Sequence, residues 1–316
     1  MGKENMDKIE NITIIGSGAA GLTAAIYASR AELSPLVLTG QLPGGLLTQT
    51  SDVENFPGFP EAVNGFELMY KFQQQAENFG TRIENDTVEK AELKEGGPHT
   101  LHMASGKIIK TKALIIASGA SPRWLGLENE ERLKNKGVSA CATCDGAFFK
   151  GVPVVVVGGG DTAMEEALFL TKFASKVMVV HRRDELRASK IMGERAMKNP
   201  KIEFFWSSQV VDILGENEVE KVKIKSVKDG SEQVVEAKGF FAALGHIPNT
   251  KIFDGLLDSD EKGFIKCSNN SSYTNVEGVF AAGDCADHVY RQAITAAGMG
   301  CKAAIDAERW LQSSEA

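Results

Sequence analysis

Two stretches of this chain, residues 12–40 and 154–183, repeat one local grammar: an apolar strand, a glycine-rich turn, a helix and a second strand. In the first, the apolar burst 12–15 runs into Gly16-Ser17-Gly18-Ala19-Ala20-Gly21. Helix-spaced Leu22, Ala25, Ile26 and Ala28 follow, and then a short strand, Leu36–Leu38. In the second, the strand 154–157 meets Gly158-Gly159-Gly160-Asp161-Thr162-Ala163, with a helix expected over 164–173 and a strand over 177–180. Such a turn constrains the fold strongly. Its first glycine permits a tight bend, its second lets backbone approach a pyrophosphate, and its third lets helix and strand pack closely. Ala163 fills the third position in the second copy.

The downstream order repeats too. A strand over 112–117 ends in Ser118-Gly119, one over 239–244 ends in Gly245, and a third over 278–282 ends in Gly283-Asp284. One glycine turn before a helix is often only a turn. Two with the same sequel point to an α/β chain with two Rossmann-type dinucleotide-binding domains, each seating phosphates at a helix N-terminus. The 316 residues suit roughly two domains of about 150 each.

The residue closing the second strand reads the adenosine ribose, and arginine there favours a 2′-phosphate. Counting 23 positions from Gly16 gives Thr39, and from Gly158 gives His181. His181 opens a basic run with Arg182, Arg183 and Arg187, whose planar guanidiniums suit a dianionic phosphate. The second unit is therefore expected to take NADP. The first has neither acid nor arginine at that position, but the glycine-bearing loop Thr39-Gly40 to Gly44-Gly45 is suited to wrapping a cofactor.

Cys141-Ala142-Thr143-Cys144-Asp145-Gly146 lies just before the second strand–turn unit. A C-x-x-C spacing can close on one helical turn, and thiols at a helix start favour the thiolate. A structural zinc site wants four ligands, and no second such pair is present. Redox chemistry is the better reading, with Asp145 placed to give or take a proton. Cys267, Cys285 and Cys301 are scattered and receive no function, and the histidines form no metal set. Hydride from NADPH and a disulfide exchange electrons poorly without an intermediary, so the first unit is expected to hold a flavin, FAD.

Charge excludes other classes. Against 35 Lys and Arg stand 42 Asp and Glu, a net −7 that disfavours nucleic acid. No apolar run approaches the ~20 residues of a membrane span, residues 1–10 lack a signal core, and five cysteines are not a secreted framework. A cytoplasmic protein is expected.

With these residues in place, the chain resembles a low-molecular-weight thioredoxin reductase from end to end. The resemblance is carried by GSGAAG (16–21), VENFPG (53–58), GVSACATCDG (137–146), GGGDTA (158–163), HRRDELR (181–187), ALGHIPNT (243–250) and the long segment 281–301. It implies an NADPH-dependent thioredoxin-disulfide reductase that acts as a homodimer, with thioredoxin as protein substrate. A discontinuous FAD domain (1–118 with 249–316) would receive an inserted NADP domain (119–248) carrying the dithiol. Cys144 is implied to face the flavin, Cys141 to attack the substrate disulfide and Asp145 to act as acid/base. The FAD contacts implied are Gly16, Ser17, Gly18, Ala19, Ala20, Gly21, Thr39, Gly40, Gly44, Gly45, Leu46, Asn55, Val88, Ala117, Gly119, Asp284, Arg291, Gln292 and Ala293. For NADPH they are Gly158, Gly160, Asp161, Thr162, Ala163, His181, Arg182, Arg183, Arg187 and Gly245. Ala19, Leu46 and Ser118 stand where the family usually has proline, glutamine and threonine.

The family also implies a swivel of the inserted domain, for which 118–122 and 245–248 are hinge candidates. The alternatives are a related flavin reductase serving another thioredoxin-like or peroxidase-linked acceptor, and a non-enzymatic NADPH-sensing protein.

Overall fold

The computed structural model describes residues 8–50, 52–268 and 270–314; residues 1–7, within the segment read above as lacking a signal core, lie outside them. The chain divides into two compact units. One comprises the chain through Ser121 with the chain from Ile247 onward, and the other is Pro122–His246.

In the discontinuous unit, strand Ile9–Ile15 lies between Leu36–Leu38 and Ile108–Ile116, parallel to both. Arg82–Glu84 extends the sheet beyond Leu36–Leu38. The far edge of Ile108–Ile116 is shared. Its first half pairs antiparallel with His99–Met103, which pairs on to Val88–Glu92, while its last residues pair parallel with Val279–Ala281. Strand alternation sends Ile12, Ile14, Val37 and Ile115 to one face. There they meet Leu22 and Ala25 of helix Ala19–Arg30 and Ala303 and Ala307 of helix Ala293–Ser314. These two helices pack closely because their contact is made of small residues: a Cβ added at Gly300 would overlap the Ala20 carbonyl. The opposite face buries Leu36, Leu38, Leu101, Leu114 and Phe253.

The continuous unit has five parallel strands in the order Val138–Ser139, Gly239–Ala242, Pro153–Val157, Lys176–Val180, Ile202–Phe205. Helix Asp161–Leu170 packs Ala163, Met164, Ala167 and Leu170 on one face, against Val154, Val156 and Val179. The other face is covered by an antiparallel sheet of Ser208–Leu214, Lys221–Ser226 and Glu232–Glu236, which contributes Ile213, Val222 and Ile224.

Several bounds differ from the sequence reading. The helix expected over 164–173 runs Asp161–Leu170, because residues 171–174 turn to bring the Phe173 carbonyl to Gly151 N. The strand expected to Leu244 ends at Ala242, and the strand expected from Lys112 begins at Ile108. Among the described residues no helix is long and apolar enough to cross a membrane.

Candidate functional site

In the discontinuous unit the first glycine turn is built by backbone. Gly16 has φ 105°, and a Cβ there would overlap Ala117 O, so only glycine fits between the two strand ends. A Cβ at Gly21 would overlap Gly16 O. Helix Ala19–Arg30 therefore starts tight on the sheet with Gly18 as its N-cap, no side-chain cap and no acidic residue in its first turn. Its leading N–H groups are left for an anion, as a dinucleotide's pyrophosphate requires. Ser17 Oγ accepts from Gly44 N at 2.9 Å and donates to Thr39 O at 3.5 Å, pinning the 40–45 loop over this turn. A Cβ at Gly45 would stand 3.0 Å from Gly18 Cα. These residues form a glycine-lined cradle that fits a dinucleotide.

Thr39 is placed at the end of its strand as expected, but its hydroxyl donates to Asn85 Oδ1 at 2.8 Å. Asn85, which the sequence reading did not single out, thus fixes the Thr39 hydroxyl at the end of this strand. Val88 turns its side chain into the core, while exposed Leu46 opens a short 3-10 helix after Gly45.

A second cluster forms before helix Ala293–Ser314. Asp287, also missed, accepts N–H bonds from Val289, Tyr290 and Arg291 at 2.8, 2.9 and 3.2 Å and holds Arg291 at φ 48°. The fold then brings Asn55 Nδ2 to 3.4 Å from Gln292 Oε1, joining two expected flavin contacts 237 positions apart. Burial and the nearby Asp287 carboxylate push the Asp284 carboxyl up to about 6, against the pull of Arg291. Cys267 and Cys285 are pushed up to about 11 by burial, which leaves both as inert thiols. At the chain's two crossings, Gly119 (φ 71°) accepts from Asn249 N, and Gly245 (φ 86°) accepts from Arg123 N.

In the continuous unit Cys141 and Cys144 form a disulfide across one helical turn, Ala142–Asp145, with Cα atoms 5.3 Å apart. Cys141 is the N-cap, and its carbonyl accepts from Cys144 N and Asp145 N. Ser139 Oγ accepts from Cys141 N at 3.0 Å and so fixes the strand-to-helix bend. Burial raises the Asp145 carboxyl above the usual carboxylate range, and a hydrogen bond from Ser139 pulls it partly back. The shift favours the protonated form of the carboxyl that directly follows Cys144 in the chain. Among the described residues no group of three or more His, Cys, Asp or Glu is placed to hold a metal ion.

The second glycine turn repeats the first. Gly158 (φ 151°) has no room for a Cβ beside Ala243 O and Ala163 Cβ, and Gly160 caps helix Asp161–Leu170 without a side chain. The basic loop folds back onto this turn. Gly159 O accepts from Arg187 N at 2.7 Å and Ala188 N at 3.1 Å, and Asp161 Oδ1 accepts from Ser189 N at 2.8 Å. Arg182, Arg183 and Arg187 keep exposed side chains, whereas His181 is buried.

A family model of pyridine nucleotide-disulphide oxidoreductases matches residues 10–300. The chain is 51% identical over 307 residues to a thioredoxin reductase of Streptomyces clavuligerus, covering 97% of this chain and 95% of that one. The chain belongs to the thioredoxin reductases of this family. A thioredoxin reductase structure from Giardia duodenalis matches this reductase with TM-score 0.91 at 45% identity, covering 96% of this chain and 98% of that one. A bifunctional thioredoxin reductase/thioredoxin of Mycobacterium leprae is 47% identical over 305 residues, covering 96% of this chain and 66% of the relative. Like its family, this reductase uses a flavin and a pyridine nucleotide and is an oxidoreductase acting on a disulfide.

Proposed function

We propose that this chain is a thioredoxin-disulfide reductase that draws on NADPH and FAD and delivers electrons from Cys141 and Cys144 to the disulfide of thioredoxin. The observation that carries the reading is the Cys141–Cys144 disulfide, followed directly in the chain by the partly buried Asp145 carboxyl, in the same unit as a glycine turn fringed by three exposed arginines. The bifunctional relative, whose name joins reductase to thioredoxin, supports the choice of acceptor.

FAD is assigned to the cradle of Gly16, Gly18, Gly44 and Gly45, with Asn55, Asp284 and Gln292 on its flavin side. NADPH is assigned to Gly158, Gly160 and the arginine loop. A bound flavin supplies two-electron exchange between a hydride donor and a sulfur pair. The chain's own residues do the rest. In the reduced pair the Cys141 thiolate attacks one sulfur of the substrate disulfide; that bond breaks and a mixed disulfide forms. The displaced sulfur takes a proton, which Asp145 holds in place for it. Cys144, as thiolate, then attacks the Cys141 sulfur, releases the second substrate sulfur to be protonated, and restores the Cys141–Cys144 disulfide. Two electrons and two protons pass to the substrate. A homodimer in the cytoplasm completes the reading, on the resemblance alone.

The test is a stopped-flow visible spectrum of the yellow protein. NADPH should bleach it, and oxidised thioredoxin should return the colour. Bleaching that thioredoxin does not reverse would assign a different acceptor.

A further inference from the structure

The fingerprint of the second glycine turn makes demands at Gly158, Gly160 and Ala163, but none at the position between the first two glycines. Yet that position is also glycine. Gly159 lies outside the left-handed region, so its backbone suits any residue. What it lacks is space: a Cβ there would overlap the His181 ring, 2.6 Å from Nε2 and nearer still to Cε1 and Nδ1. We propose that His181 is a positioning residue: lodged against Gly159, its imidazole holds the arginine loop in the arrangement that receives a 2′-phosphate, and does not itself touch the nucleotide. The inference rests on the reading of this loop as the NADPH site.

His181 is 5% exposed. Its Nε2 lies 3.0 Å from Glu185 O, and a carbonyl can only accept, so Nε2 carries the hydrogen. Burial opposes protonation of this ring most strongly; the hydrogen bond to Glu185 O works the other way, and the charges of Arg187, Arg183 and Arg182 add to the opposition. A neutral, buried imidazole with its N–H spent on backbone has no cation to offer a phosphate. It does have a place at the middle of a braced loop. On the near side His181 N donates to Phe205 O, Ser208 N to His181 O, and Ser207 N to Arg183 O, at 3.0, 2.9 and 2.9 Å. On the far side Gly159 O takes the N–H groups of Arg187 and Ala188. The Trp206 ring meets the imidazole edge-on at 6.4 Å between centroids. Gly159 is thus the seat of the ring and, through its carbonyl, the anchor of the loop's end. A loop held this way presents three guanidiniums without the entropy loss of ordering them on binding.

The test uses flavin-loaded protein and two probes, 2′,5′-ADP and 5′-AMP, followed by calorimetry, together with the NADPH-to-NADH ratio of kcat/KM. His181→Ala should lower the preference for the 2′-phosphorylated probe about tenfold. Gly159→Ala, in a chain that keeps the histidine, should do the same. H181A/G159A should be no worse than His181→Ala, because the methyl group added at 159 enters space the ring has vacated. If Gly159→Ala leaves the preference intact while His181→Ala abolishes it, the histidine is a ligand and the proposal fails. Full preference in all three variants overturns it equally. An unaltered protein that binds both probes alike overturns the NADPH reading instead. Should His181→Ala not fold, Gly159→Ala and His181→Gln carry the test, and the glutamine, which keeps a donor for Glu185 O, should restore part of the preference.

Discussion

Burial takes water away from Asp284, and Asp287 adds a like charge, so its carboxyl moves from 3.8 to about 6. Between those pH values the unfolded chain has released this proton and the folded chain still holds it. Stability contributed by Asp284 therefore falls as pH rises through the window. In flavin-stripped protein Asp284→Asn should be the more stable form above pH 6, by about 1–3 kcal/mol, with the advantage gone below pH 4. Urea midpoints at several pH values check this, and a difference that stays flat with pH would refute it. Asp145 is raised by burial too, with Ser139 as the counterweight. Ser139→Ala should push it further up and carry the Asp145-dependent limb of the turnover profile to higher pH, while Asp145→Asn should slow thioredoxin reduction about 100-fold. The cysteines, the turn glycines and the arginines were legible from sequence because their chemistry demands those residue types at those spacings. Asn85, Asp287 and Ser139 were not. Asn85 works through Thr39, 46 positions away, and Asp287 and Ser139 through backbone N–H groups two to four positions along, and an Asn, Asp or Ser in a loop reads the same whether or not it makes such a bond.

The two helices that follow the glycine turns begin without a side-chain cap. A globular helix usually gains from one, so these N-termini are less stable alone than they need be, and each is suited to an anion. The glycines at the two turns differ in what they protect. At Gly160 a Cβ would meet nothing and φ is −96°, so Gly160→Ser should leave folding stability within a few tenths of a kcal/mol. The same hydroxyl would cap the helix where phosphate belongs, and KM for NADPH should rise about tenfold. At Gly158 φ is 151° and a Cβ would lie 2.7 Å from Ala163 Cβ, so Gly158→Ala should cost about 1–3 kcal/mol of stability in a denaturant titration. Equal effects of the two changes on folding would contradict this division. Elements beside the turns were readable because strand, turn and helix follow each other within 30 residues. The antiparallel strands of 88–103 and 208–236 went unread. Glu232–Glu236 is mostly exposed and polar, and its place is set by pairing with Lys221–Ser226 across Lys–Glu pairs and not by an apolar period of its own.

The division of labour between the two units sets a mechanical requirement. One carries the cradle assigned to FAD; the other carries both the disulfide and the arginine loop assigned to NADPH. If both act on one flavin, a hydride donor and a sulfur pair belonging to the same unit must reach it in turn, and a single fixed arrangement serves only one of them. The chain passes between units twice, and the two crossings pair as a ribbon, Ala120–Pro122 with His246–Pro248. On the side of the discontinuous unit this ribbon is tied down by Asn249, which donates from Nδ2 to Ser118 O at 2.9 Å and accepts at Oδ1 from Ser121 Oγ at 3.0 Å. Asn249 thus ties the two crossings to each other at their base, and a swivel about them is the motion the resemblance implies. A covalent cross-link introduced between the units should accordingly preserve one half-reaction and abolish the other. Either NADPH still bleaches the flavin and thioredoxin cannot restore it, or the dithiol still exchanges electrons with chemically reduced flavin and NADPH has no effect. Steady-state turnover should be lost in both cases and return when the link is cleaved. A linked protein that cycled at the unlinked rate would show that one arrangement suffices, and the requirement for motion would fall.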